Sequence, residues 1–263
     1  MPPLTIRWTI GDVSEYGFAA LQLSVWGLWR LLGNVPSYVI CANTVPLQLA
    51  QKRTGELPAD VIWRDVTAEF PEFLRFYFDE HKAEGVGWKF APPRLSQACL
   101  ELALDNDCIL WELPNAIIKW LQAPAAFLFA EDVHACFGQF GEICGAEPRN
   151  SGIRGLPPGF DLAQAMLKLL REKGLTLRSE LDEQGLQTAL LRDRHPFIVS
   201  TAEVSICSPF PPHTRALGTC GAHFVGLNAK SLPWEYQGRP GVDYIREHWT
   251  AHLPAIREKI RLP

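Results

Sequence analysis

Short apolar runs alternate with longer helical stretches through the first half of the chain. Thr5–Ile10 reads as a strand that stops at Gly11-Asp12. Tyr16–Leu32 then predicts a long helix, ended by Gly33-Asn34, a usual C-terminal stop. This helix is apolar nearly all round, so it should be buried on more than one side. Tyr38–Ala42 reads as a second strand, and Val61–Trp63 as a third, after a Pro-Ala-Asp turn. Thr67–Asp79 predicts a helix with Thr67 as its cap and Phe70, Phe73, Leu74 and Phe78 on one side. A loop around Gly85-Val86-Gly87 follows, then a short helix over Pro92–Leu100 and a strand at Glu101–Leu104.

Strands separated by helices, repeated three times, imply an α/β fold whose mostly parallel sheet is covered on both faces. Ligands bind such sheets at the carboxyl ends of the strands. The Gly11–Tyr16 and Asp105–Asp107 loops both fall there and should face one crevice. The second half is more mixed. Ala126–Ala130, Gly152–Leu156, Phe197–Ser200 and Cys220–Val225 read as strands, and Asp161–Lys173, Leu181–Leu190 and Val242–Arg261 as helices. There is no internal repeat, and the Gly155–Gly159 turn is the best place for a subdomain seam.

Composition narrows the choice of partners. At 47% apolar and 21% charged, the 263 residues have the make-up of an ordinary globular protein. A net charge of -4 gives no general attraction to nucleic acid or anionic membrane, so an anionic ligand must be held by local groups or by a metal. No apolar stretch is long enough for a membrane span, and Met1-Pro2-Pro3-Leu4 does not open like a signal peptide. The seven cysteines are odd in number, scattered and without Cys-x-x-Cys spacing. Buried free thiols in a reducing cytoplasm fit them better than disulfides or a zinc site. Nine tryptophans are many, and serve as core side chains or as the apolar floor of a sugar pocket.

Asp105-Asn106-Asp107 follows directly on the apolar Leu102-Ala103-Leu104. Two carboxylates at the end of a buried strand are costly without a partner. A turn just past the strand can aim both at one point, where a hard divalent cation would neutralise them. Magnesium or manganese would keep open positions for phosphate oxygens. Two solvated acids in a turn fit the same spacing, so the residues downstream decide.

Leu104-Asp105-Asn106-Asp107 with its apolar continuation resembles the Asp-x-Asp motif of GT-A glycosyltransferases, and is most similar to glycosyltransferase family 8, the glycogenin and galactosyltransferase relatives. The resemblance runs from about Thr5 to Trp234. It implies one Rossmann-like nucleotide-diphospho-sugar transferase domain over residues 1–263. The nucleotide-binding half would cover about 1–111, the sugar and acceptor half about 112–240, and a helical tail 241–263. By resemblance Thr9, Asp12 and Tyr16 contact the nucleotide, although Tyr16 also fits a core tyrosine at a helix start. In Trp88-Lys89-Phe90-Ala91-Pro92-Pro93-Arg94-Leu95, Lys89 best matches the basic contact to the diphosphate, with Arg94 second; Asn106 lies on the same path. Asn150-Ser151-Gly152 resembles the strand that touches the donor sugar, together with Asp132 of the acidic Glu131-Asp132 loop. Asp182-Glu183-Gln184-Gly185 resembles the Asp-Gln-Gly helix start of the family, with Glu183 in place of Asp. Which of Asp182 and Glu183 faces the sugar stays open, since acids at a helix start also answer the macrodipole.

His223-Phe224-Val225-Gly226 resembles the family's His-x-x-Gly, which makes His223 the third metal ligand beside Asp105 and Asp107. A satisfied core histidine is the other reading. The family's Lys-Pro-Trp is displaced here to Lys230-Ser231-Leu232-Pro233-Trp234, and Lys230 becomes a phosphate contact. The implied activity is transfer of sugar from a nucleotide-sugar, UDP-sugar favoured, to a saccharide, lipid or protein acceptor, with retained anomeric configuration. Mn2+ or Mg2+ would act as the Lewis acid, and Lys89 and Lys230 would add positive potential. Glu183, Asp182 and Gln184 are the catalytic candidates, with Glu131 and Asp132 as rival carboxylates.

Three other classes share parts of this pattern. Aspartyl phosphatases carry Asp-x-Asp near the chain start with Thr or Val two places on, where this chain has Ile109 or Leu110. Nucleotidyltransferases want a Gly-rich basic loop after the first strand, and Gly11–Tyr16 is acidic. A non-catalytic nucleotide-sugar binder would tolerate the departures at Glu183 and Lys230. The tail, with Trp249 and the basic Arg246, Arg257, Lys259 and Arg261, is expected to pack on the domain, bind a partner or touch a membrane surface.

Overall fold

The structure is a computed structural model and describes residues 2–78 and 87–261. In chain order the elements are β1 (Leu4–Ile10), α1 (Glu15–Leu32), β2 (Ser37–Ala42), α2 (Leu47–Thr54), β3 (Val61–Asp65), α3 (Glu72–Arg75), β4 (Leu100–Asp105), β5 (Cys108–Leu110) and α4 (Asn115–Gln122). There follow β6 (Leu128–Glu131), α5 (Gly141–Cys144), β7 (Arg149–Leu156), α6 (Leu162–Lys173), α7 (Glu180–Leu191), β8 (Phe197–Val199), β9 (Val204–Cys207), β10 (Gly221–Phe224), the short hairpin β11 (Glu235–Tyr236) and β12 (Arg239–Pro240), and α8 (Gly241–Ile260).

Seven strands form the central sheet in the order β3-β2-β1-β4-β7-β6-β8. Every pairing is parallel except the two made by β7, so that strand alone runs against its neighbours. The mostly parallel sheet with helices on both sides is therefore present. A second sheet, β5-β10-β9, starts only two residues after β4 ends. The Asn106-Asp107 turn is the step between the sheets.

Helix α1 lies between them. Ser14 caps it by accepting from the Gly17 N–H, and Gly33 ends it with φ +62°, a conformation open to glycine without a Cβ penalty. Phe18, Leu21, Val25 and Leu28 pack into the core of the large sheet, while Ala20 and Leu23 pack with Ile109, Trp111 and Phe224 beside the small one. The all-round apolar surface is thus buried on two sides. Ser24 locks the arrangement, accepting from Trp8 Nε1 (2.8 Å) and donating to the Cys108 carbonyl (2.5 Å). Trp8, Trp120 and Trp249 are fully buried core residues, and Cys41 and Cys108 are buried free thiols.

Beneath the strand ends sits a buried charge cluster. Glu101 on β4 is approached by Arg7 of β1 (3.9 Å), Arg94 (4.0 Å) and Arg154 of β7 (3.9 Å). Buried ions need further partners to offset desolvation. Arg7 donates to the carbonyls of Ala91 and Pro92, Arg94 to those of Pro157, Phe160 and Cys99, and Glu101 accepts from the Leu95 N–H. These bonds pin the irregular segment after Lys89 onto the sheet.

Prolines account for two helices that do not form. Over Thr67–Asp79 the chain makes a 3-10 turn at Thr67–Glu69, an extended Phe70, and then the four-residue α3. The residue before Pro71 is steered away from helical geometry, and Thr67 caps nothing, its N–H bonding to Asp65 Oδ1 instead. Asp79 and the Gly85-Val86 loop lie outside the described residues. Over Pro92–Leu100 there is likewise no helix, only a 3-10 turn upstream at Gly87–Phe90. Pro92 and Pro93 remove two successive donors. Helices α2 and α4 and strand β9 were not evident from the apolar pattern. Among the described residues no helix is long and apolar enough to cross a membrane.

Gly155 is no turn residue. It lies buried within β7, where an added Cβ would come 2.6 Å from Leu128 Cβ and 2.7 Å from Trp120 Cε2. Glycine here lets the indole of α4 lie against the sheet. Gly155→Ala should therefore overpack the core and lower unfolding stability by about 1–3 kcal/mol in urea denaturation; an unchanged midpoint would contradict this packing role.

Candidate metal and nucleotide site

Strand β4 delivers Asp105 to the carboxyl end of the large sheet, and two residues later the turn holds Asp107 just before the small one begins. His223 on β10 pairs in register with Cys108, which brings its imidazole beside both acids. Its Nε2 lies 3.3 Å from Asp107 Oδ1 and 3.6 Å from Asp105 Oδ2. One ligand atom from each residue lies within 4.8 Å of the others. Asp107 is buried, and its Oδ1 makes no well-aligned hydrogen bond, its polar contact being the His223 imidazole at 3.3 Å. A buried carboxylate oxygen so sparsely answered leaves room for a further positive partner. Two carboxylates and an imidazole suit a divalent cation such as Mn2+ or Mg2+, so the residues present fit the expected ion.

The turn is held by Asn106 and Asn228. Asn106 Nδ2 donates to Asn228 Oδ1 (2.7 Å) and to the Gly17 carbonyl (3.0 Å), while Asn228 Nδ2 donates to Asn106 Oδ1 (3.0 Å) and Asp107 Oδ2 (3.2 Å). The Asn106 amide is thus taken up in fixing the turn against α1. Asn106 also lines the crevice described below, beside Asp105. Asn228 was missed in the sequence, where an asparagine in a turn carries no signal that it reaches back 121 positions to Asp107.

A crevice of about 490 Å³ opens at these strand ends. Thr9, Gly11, Asp12, Asn43, Trp88, Lys89, Asp105 and Lys230 line it, so the two expected loops do share one cleft of small-molecule size. Asp12 is paired with Lys230 (2.5 Å) and Arg53 (2.9 Å), which together hold its carboxyl below the usual range. Tyr16 does not line this crevice. It flanks an adjoining hollow that shares Lys230, with the Arg246 guanidinium 5.6 Å over its ring.

Lys89 is centred among acids, 2.9 Å from Asp105 and 3.2 Å from Glu183, and it also donates to Ser151 Oγ (3.3 Å). Burial disfavours its charge, but Asp105 and Glu183 outweigh this and raise its pKa, so it stays an ammonium. Arg94, the second basic candidate, is buried beneath the sheet in the Glu101 cluster and does not line the crevice.

Asn150, Ser151 and Gly152 form the start of β7 rather than a turn. Asn150 donates to Asp132 Oδ2 (2.9 Å), and Ser151 Oγ donates to Glu183 Oε2 (3.1 Å). Gln184 accepts from the Ser151 N–H (3.3 Å) and donates to Asp132 (3.4 Å). At Gly152 a Cβ would stand 2.6 Å from His223 Cε1 and 2.8 Å from Asn150 Oδ1, so the imidazole lies directly against this backbone.

The two acids at the start of α7 are now told apart. Asp182 turns away and accepts from the backbone N–H groups of Gln139 (2.7 Å) and Arg178 (2.8 Å), tying down two loops. These bonds hold Asp182 apart from Lys89 and Ser151. Glu183 points at Lys89 and Ser151. Burial raises its pKa, and the nearby Lys89 charge opposes that rise. Of the rival carboxylates, Glu131 accepts from the Thr201 N–H (2.8 Å) and hydroxyl (3.1 Å), away from this group, while Asp132 stays beside Asn150.

No protein-family profile matches the sequence, and no curated protein matches it. Solved structures do match in shape. The galactosyltransferase LgtC, solved in complex with donor and acceptor sugar analogs, aligns over 94% of this chain and 95% of its own, with TM-score 0.57 and 12% identity. The apo structure of the bifunctional glycosyltransferase WbbM aligns over 98% of this chain, with TM-score 0.58 and 13% identity. This chain spans 52% of WbbM. At such identities the likeness is one of fold, and the fold is that of the GT-A glycosyltransferases.

His223 gives the site a pH signature. Burial depresses its pKa, but the contact with Asp107 and the charges of Asp107 and Asp105 prevail, so it lies above the ordinary 6.5. A raised folded-state pKa contributes stability that is complete below about pH 6.5 and is lost as pH rises through the folded value. In chelator, the melting-temperature gap between wild type and His223→Gln should be widest near pH 6 and close toward alkaline pH. A gap that widened with pH would contradict the ion pair.

Proposed function

We propose that the chain moves a sugar from a nucleotide-sugar, UDP-sugar favoured, to an acceptor, with Mn2+ or Mg2+ held by Asp105, Asp107 and His223. The observation that carries this reading is the convergence of buried Asp107 and His223 with Asp105, which itself lines the strand-end crevice. The GT-A fold supports it, as does the family 8 resemblance in motif order. When bound, the ion supplies Lewis-acid stabilisation of the diphosphate leaving group.

The chain's own groups do the rest. Thr9 and Asp12 face the nucleotide half of the crevice, with Tyr16 at its flank. Lys89 and Lys230 hold positive potential where the diphosphate would lie, preorganised before negative charge develops. Asn150, Ser151, Gly152 and Asp132 border the sugar side, and Gln184 holds that border to α7. Glu183, fixed by Ser151 and Lys89, is the carboxylate placed to stabilise an oxocarbenium-like anomeric centre. Retention of configuration follows from the family resemblance. On this reading residues 1–111 bind nucleotide, 112–240 bind sugar and acceptor, and the tail 241–263 packs behind them, in a reducing compartment to which the free thiols are suited.

Calorimetric titration of UDP in manganese should give binding to wild type and none that depends on manganese with Asp107→Asn. Unchanged affinity in the variant would remove the metal reading. Glu183→Gln should keep manganese-dependent UDP binding but release UDP from a UDP-sugar on the order of a hundredfold more slowly. Equal turnover would move the catalytic assignment away from Glu183.

A further inference from the structure

We propose that Cys207, His248 and His252 form a second metal site, for a borderline-soft ion such as Zn2+, that fastens α8 to β9. Cysteine spacing offers no hint of it, because two of the three donors are histidines and only one is a thiol. His248 and His252 lie one turn apart on α8, so both imidazoles project from one face. Cys207, the last residue of β9, meets them there, with Sγ 3.2 Å from His248 Nε2. The imidazole centroids are 4.6 Å apart, and one ligand atom from each of the three residues lies within 4.8 Å of the others.

That spacing suits tetrahedral zinc. Bonds of about 2.3 Å to sulfur and about 2.0–2.1 Å to nitrogen place neighbouring ligand atoms about 3.3–3.6 Å apart. One sulfur and two imidazoles select for zinc over magnesium or calcium, which take oxygen. Cys207 is buried, whereas both histidines are partly exposed, which leaves an entry path and a fourth position for water. Phe224 packs beside both imidazoles, its ring centroid 6.1 Å from each. Arg215, the nearby cation, is turned to the Pro209 carbonyl (3.2 Å). Binding would form a metal–sulfur bond and release the thiol proton to solvent, with no change of oxidation state.

This site is separate from the carboxylate site. Cys207 is opposite Phe224 in the β9–β10 register and Ile206 is opposite His223. Alternation along a strand therefore puts the sulfur and the His223 imidazole on opposite faces of the small sheet.

The test is cobalt titration of the metal-free full-length chain, read by the near-ultraviolet sulfur-to-cobalt charge-transfer band. A band that saturates at one equivalent, is displaced by Zn2+, and persists in Asp107→Asn is the expected result. It should vanish in Cys207→Ser and need about tenfold or more cobalt in His252→Gln. Zn2+ should also raise the melting temperature of Asp107→Asn but not of the Asp107→Asn, His252→Gln double variant. The partly exposed His252 keeps the test decisive even if Cys207→Ser does not fold. Absence of the band in wild type, its survival unchanged in His252→Gln, or its loss in Asp107→Asn would overturn the proposal. The last variant also separates this outcome from failure of the sugar-transfer reading.

Discussion

Two carboxylates held at the end of a buried strand are the constraint around which this molecule is arranged. Asp105 and Asp107 repel each other, and one of them is cut off from solvent. Three groups answer that charge: Lys89 on Asp105, His223 on both, and Asn228 on Asp107. Each arrives from a different part of the chain and is held in place by packing rather than by its neighbours in sequence. Buried Asp107 Oδ1, answered by the imidazole without a well-aligned hydrogen bond, marks where an added positive charge would be favourable.

Charge balance reaches well below the crevice. Arg154 donates to Gln187 (2.6 Å), Gln187 contacts Glu183, and Glu183 meets Ser151 and Lys89. Lys89 in turn bridges to Asp105. A continuous polar path thus joins the arginine cluster around Glu101 to the strand-end acids. Three arginines against one glutamate leave excess positive charge under the floor. Burial pushes the Glu183 pKa upward, and the Lys89 charge with the Lys89 and Ser151 hydrogen bonds supplies the counterweight.

Strong apolar runs bounded by glycine or other turn residues were legible in the sequence, which is why β1, β2, β4 and α1 fall where the pattern puts them. Segments in which proline competes with periodicity were not: the aromatic spacing around Phe70 and Phe73 is helical, but Pro71 overrides it. Helix α2 was hidden because its surface-facing Leu47–Thr54 carries little apolar signal. In the site, the meeting of Asp105, Asp107 and His223 was legible because motif order stood in for distance. Asp182 and Glu183 could not be separated, since adjacent helical residues point about 100° apart and only the packed helix shows which one faces inward. Arg94 looked like a ligand contact for a similar reason: a buried arginine and a crevice lysine read alike as cations.

Asp105 closes a strand of the large sheet, His223 belongs to the small one, and Asp107 sits in the turn that leads into it. Two residues, Asn106 and Asp107, span the joint. The three donors therefore measure the angle between two layers, and they meet only when those layers are correctly seated. Any free energy released when they gather round an ion also rivets the layers together. Ligation and architecture are consequently one equilibrium here, and a core substitution that tilts one layer by a few degrees would blunt the site without touching any of its residues.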